Sequence, residues 1–143
     1  MHRVAALACL VALSATATAC GGGDDTGDAR KAAQGYVTTL GKRDGAGTCE
    51  RMTKNLQQQF TAAVVKADKS FQGRSCPQVM QAALNTIPSS QLGQFAKAKI
   101  SDLKLDGDTG TFRYTLGNIN VDGKVAKEDG DWKVSCCVPG SSG

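Results

Sequence analysis

Histidine is nearly absent: the only one, His2, lies in an N-terminal leader. The chain beyond that leader therefore excludes serine–histidine and cysteine–histidine nucleophiles and histidine-ligated metals. Cysteines are present, but no Cys-x-x-Cys is, which leaves a thioredoxin-like redox site without support. A zinc site of four thiolates would need better spacing. There is no run of about 20 apolar residues, the length a spanning helix needs. No Lys/Arg cluster suggests tracking of a phosphate backbone, so no nucleic-acid partner is expected. Aromatics are few, seven in 143 residues, so a core must use most of them.

The leader has three parts. Met1, His2 and Arg3 form a positive start, residues 4–13 are uncharged and apolar, and residues 14–19 are small and weakly polar. This is the order of an export signal, too short for an anchor helix. Ala17-Thr18-Ala19-Cys20 resembles the lipobox of bacterial lipoproteins, in which the cysteine thiol takes a diacylglyceryl group before cleavage. Ala17 stands where that family usually has leucine, which leaves ordinary cleavage near Ala19 as the alternative. The lipobox resemblance implies a signal over residues 1–19, a lipid on Cys20, and a partner in the extracytoplasmic face of the cell membrane. Residues 20–27 read as a Gly/Asp-rich tether. Two acyl chains, at about 0.8 kcal/mol per buried CH₂, suffice for stable attachment. Removing residues 1–19 takes Arg3 away, leaving 16 Lys and Arg against 13 acids, a net +3 that reads as spread along the chain. The remaining 124 residues are enough for one core.

Apolar spacing predicts helices over 28–40, over 48–65 (one helix, or two broken near Thr53) and from Ser75 to Ile87. Ser75-Cys76-Pro77-Gln78 is a capping box with an early proline, and Pro88 ends the stretch. Residues 66–74 and 89–94 read as loops. From Phe95 onward the period becomes alternating. Phe112, Tyr114 and Leu116 mark one strand, Trp132, Val134, Cys136 and Val138 another, and 124–128 a short one with Val125 inward. Ala98 and Ile100 share one parity, Leu103 and Leu105 the other, so a β-bulge near Ser101-Asp102 is expected. Asp106-Gly107, Asp122-Gly123 and Asp129-Gly130 each read as a hairpin turn, which makes a four-stranded meander. The order gives an α+β fold: N-terminal helices packed on a curved antiparallel sheet of about four strands, as a single domain over 28–138 with a tail over 139–143.

The first helix ends in Gly41-Lys42-Arg43-Asp44-Gly45, cysteines follow at Cys49 and Cys76, and the chain closes on Lys127-Glu128-Asp129-Gly130-Asp131-Trp132-Lys133-Val134. This pattern resembles the nuclear transport factor two-like superfamily, and within it the small envelope lipoproteins of high-GC Gram-positive bacteria. The resemblance covers about 28–138. It implies a cone-shaped cystatin-like roll with a pocket between helices and concave sheet. It also implies either an isomerase, cyclase or dehydratase with an aspartate base, or a binding module; the fold does not choose between them.

Cys49 with Cys76 is the expected disulfide, since each falls near a helix end and an exported chain keeps disulfides. Four cysteines allow three pairings. Cys136 and Cys137 stay unassigned, open to a vicinal bond or to one pairing elsewhere. Asp44 reads as a turn former or cap; Asp106, Asp122 and Asp129 read as turn residues. Asp102, at the bulge, is the one acid placed to serve as a catalytic base. Tyr36, Phe60, Phe112, Tyr114 and Trp132 are candidates for a ligand pocket, although the core needs aromatics too. No metal or cofactor is expected. The favoured reading is a non-catalytic, membrane-anchored module binding a small apolar ligand or an envelope protein. The alternatives are an envelope enzyme using Asp plus Tyr and a structural or oligomerising domain with a filled cone. The sequence does not define the oligomeric state.

Overall fold

A computed structural model describes residues 22–136 of the chain. The expected leader, Cys20, Cys137 and the tail over 139–143 lie outside the described residues.

Helix α1, Gly22–Gly41, begins six residues earlier than its apolar spacing suggests, so most of the expected tether is helical. It buries Ala29, Ala33, Tyr36, Val37 and Leu40, one face at helical spacing. Short α2, Gly45–Glu50, is capped by Asp44, whose Oδ1 accepts from the Gly47 amide at 2.8 Å. Asp44 is thus a cap. The break expected near Thr53 is real: Thr53 caps α3, Lys54–Ala67. Lys69–Phe71 adds a 3₁₀ turn. Helix α4, Cys76–Asn85, starts at Ser75, whose amide donates to Gln78 Oε1 at 3.0 Å.

Residues 89–94 are not a loop. They belong to α5, Ser89–Lys97, which buries Leu92 and Phe95 three residues apart against α1. Gly93 and the glutamines hide that stripe from a hydropathy reading. Arg43 holds the α4–α5 junction by donating to Ile87 O at 2.9 Å and Ser89 Oγ at 3.2 Å. Cys49 and Cys76 form a disulfide between α2 and α4. Cys136 is also disulfide-bonded.

Strands β1 (Ile100–Asp106), β2 (Thr109–Leu116), β3 (Ile119–Glu128) and β4 (Asp131–Cys136) form an antiparallel meander in chain order. The register slips between Ser101 and Lys104, and Asp102 takes φ +49°. This bulge sets Ile100 and Leu105 on one face, opposite Tyr114 and Gly110 respectively. The turns at Asp106-Gly107 and Asp129-Gly130 are hairpins, with positive φ at Gly107, Asp129 and Gly130. Asp122-Gly123 is not a turn. It lies inside β3, whose hairpin with β2 falls at Gly117 (φ +59°). Gly123 pairs with Phe112, and the phenyl ring covers the place its Cβ would occupy. A missing side chain, not a tight turn, is what the position requires.

The α+β order stands, but the cone does not. The sheet is neither curled nor closed. Its inner face is filled by α1, which touches β1, β3 and β4. The outer edge of β4 is taken by residues 51–53: the Val134 amide donates to Arg51 O at 2.7 Å, and the Thr53 amide donates to Val134 O at 2.9 Å. At the other edge, Gln34 accepts from the Ile100 amide at 3.1 Å and Arg30 donates to Ile100 O at 2.8 Å. With the β4 edge occupied, the start of β1 held by α1 side chains and α1 lying over the inner face, the sheet stays open.

The Cys49–Cys76 link closes a loop with a sequence separation of 27. Replacing both cysteines by alanine is expected to cost about 3–4 kcal/mol by chain entropy, read as a lowered urea midpoint with an intact helical spectrum.

Candidate functional site

The inner face of the sheet collects three of the five aromatic candidates. Tyr36 of α1 is fully buried, and Phe112 and Tyr114 of β2 are 2% and 1% exposed. Phe112 and Tyr114 stack with centroids 6.1 Å apart. The hydroxyls of Tyr36 and Tyr114 are buried without a hydrogen-bond partner. Burial pushes the Tyr114 phenol up to about 12. It raises that of Tyr36 as well, with Tyr114 adding a smaller effect. Both are therefore neutral at any physiological pH, and neither is poised to ionise as an acid–base group.

Phe60 lies on α3, half-buried at the margin of the core. Trp132, on β4, faces the start of α1. The aromatics thus split between core, margin and end of the domain rather than ringing one cavity.

Asp102 is exposed, with its carboxylate 3.9 Å from the Arg113 guanidinium. Arg113 in turn donates from Nε to Asp122 Oδ1 at 2.7 Å. This second contact lowers the Asp122 carboxyl below its ordinary value and raises Arg113. With Lys104, Thr111 and Lys124, these residues line an open cleft of about 340 Å³. Arg113 and Tyr114 are neighbours on one strand and so project to opposite faces. The sheet therefore separates Asp102 from the phenols, and the expected Asp-plus-Tyr pair is not brought together.

A cluster that sequence reasoning missed lies at the start of α1. Lys127 Nζ meets Asp25 Oδ1 at 2.7 Å, and Trp132 Nε1 donates to the same oxygen at 3.3 Å. The Lys127 ammonium sits 5.5 Å from the Trp132 ring centroid, a cation–π distance. Asp25 falls in the stretch expected to be tether, where sequence offers no partner for it. The parity of β3 offered one signal: Lys127 shares the inner face with Val125. Beside the cluster, Asp28, Lys31, Glu50, Arg51 and Lys133 help line a polar cleft of about 590 Å³. Among the described residues, no group of three acids, cysteines or histidines could hold a metal, and no helix is long and apolar enough to cross a membrane.

Comparisons with family models, with curated proteins and with solved structures found no match.

Two measurements check these assignments. An unpaired buried hydroxyl costs about 1–3 kcal/mol, so Tyr114→Phe is expected to raise the urea midpoint; a fall would reveal a partner for the hydroxyl. The hydrogen bond from Lys127, then that from Trp132, holds the Asp25 carboxyl below its ordinary 3.8. A lowered carboxyl contributes stability that is present above the unfolded value and lost as pH falls through the folded one. The single tryptophan should therefore show an acid fluorescence transition with a midpoint below 3.8, and Asp25→Asn should abolish it.

Proposed function

We propose that this chain is a lipid-anchored module of the extracytoplasmic membrane face that acts by binding an envelope partner rather than by catalysis. The observation that carries this reading is the packing of Tyr36, Phe112 and Tyr114, the residues best suited to line a ligand pocket. They are spent on the core, with α1 laid over them, which turns the balance from a small apolar ligand towards a protein contact at the surface. The leader supports the location: a positive start, an apolar stretch over 4–13 and small residues before Cys20. The isolation of Asp102 from both tyrosines, and the absence of histidine after His2, weigh against acid–base turnover. The resemblance to nuclear transport factor two-like lipoproteins adds the precedent of binding modules, without the cone.

Intact and native mass spectrometry of the protein extracted from its own membrane tests the reading. A chain beginning at Cys20 with two or three acyl chains, recovered with a protein companion, is the expected result. A chain cleaved near Ala19 without lipid would remove the anchor, and a reproducible small-molecule adduct would restore the ligand reading. Cys20→Ser should move the protein from the membrane to the soluble fraction.

A further inference from the structure

Charge in this chain is segregated rather than spread. Residues 51–101 hold seven Lys and Arg and a single acid, Asp68. The rest of the chain after residue 19 holds nine Lys and Arg against twelve acids. The acids gather at the turns of the sheet: Asp106 and Asp108 at one hairpin, Glu128, Asp129 and Asp131 at another. Eleven of the sixteen cations precede β1, while residues 102–136 hold five against seven acids.

Within the helical layer α3 is the least covered element. Of its fourteen residues only Leu56 is buried, whereas ten-residue α4 buries four. Phe60, Val64 and Val65 remain half-buried and Ala62 and Ala63 exposed. An open, mainly apolar groove of about 510 Å³ runs along it, lined by Gln57, Thr61, Ala62, Val65, Arg74 and Cys76 among others. Lys66 and Lys69 stand on either side of Asp68 where α3 ends, and Arg74 lies 5.3 Å over the half-buried Phe71 ring. None of these three cations has a carboxylate within salt-bridge distance among the described residues.

From these features we infer that the α3 face, through Lys66, Lys69 and Arg74 with Val65 and Phe71, docks on an anionic lipid surface. The inference rests on the reading of a lipid-anchored chain, and the geometry of the anchor agrees with it. Cys20 precedes Asp25 by five residues, so even an extended chain reaches only about 18 Å from the Asp25–Lys127 contact. The first turn of α3 lies beside that contact: the Lys54 amide donates to Glu128 Oε2 at 3.0 Å, and Lys54 Nζ meets Asp129 at 3.1 Å. A lipid on Cys20 therefore enters the bilayer near the start of α3, and the domain can lie with its basic flank on the headgroups. One lipid signal plus a basic patch is a physically sufficient pair for stable attachment.

The test uses the chain from residue 20 to 143 with Cys20→Ser, so that no lipid contributes. It is mixed with phosphatidylcholine vesicles, with and without phosphatidylglycerol, at low salt, and sedimented. Binding is expected only to the anionic vesicles and should fade as salt rises. Each basic side chain near an anionic surface strengthens binding about fivefold, so Lys66→Gln/Lys69→Gln should weaken it about thirtyfold. Lys104→Gln/Lys124→Gln, on the opposite face of the sheet, should leave it unchanged. Equal binding to both vesicle types, or a Lys66/Lys69 variant that binds like the parent, would overturn the inference. No vesicle binding would overturn it too. The acyl mass on Cys20 is read separately, so a failure of the anchor and a failure of the docking face remain distinguishable.

Discussion

The burial of one face of α1 against the sheet is the contact on which the rest depends. Ala29 and Ala33 are small enough to bring the helix close, and Tyr36, Val37 and Leu40 then fill the space above Phe112, Tyr114 and Val125. At about 25 cal/mol per Å² of apolar surface, burial at this interface contributes favourably to folding. Other elements are hung from α1: α5 packs on its outer side through Leu92 and Phe95, close enough for Gly41 to lie against the Ala96 backbone. The start of β1 is fixed by Gln34 and Arg30. The same helix determines what the domain is not. A helix lying over the inner face leaves an open sheet with a filled interior.

The outside is divided. The sheet's solvent face and its hairpins carry the acids, with Arg113 drawn to Asp122 and Asp102. The helical layer from α3 onward carries the cations. Asymmetry of this kind costs little in stability, since exposed ion pairs contribute about 0–1 kcal/mol whether made or not. It does orient the whole body in a field. A net charge of +4 for the full sequence conceals this entirely, because the opposing sets nearly cancel.

The elements that were legible in the sequence are those with a strong period or a chemical start signal. Ser75 with Gln78 announced α4, Thr53 announced the break before α3, and the parity slip at Ser101-Asp102 announced a bulge. The failures have physical causes. Helix α5 has only two core residues amid glutamine, serine and glycine, so its mean hydropathy is low and it reads as a loop until α1 is beside it. Asp122-Gly123 carries the composition of a turn, but its glycine serves the Phe112 ring across the strand pair. Asp25 looked like linker because its partners, Lys127 and Trp132, are more than a hundred residues away. For the aromatic candidates, sequence cannot tell a core residue from one lining a pocket, since both want the same apolar surroundings.

Sheets with free edges invite copies of themselves, because a row of unpaired amides and carbonyls is a template for another strand. In this domain residues 51–53 already occupy the edge of β4. On β1, side chains of α1 take the Ile100 groups, and the left-handed Asp102 then interrupts the ladder. Only the short stretch up to Asp106 is left regular, and Lys104 lies within it. The bulge that restores the hydrophobic register therefore also leaves little of the β1 edge as a template for another strand.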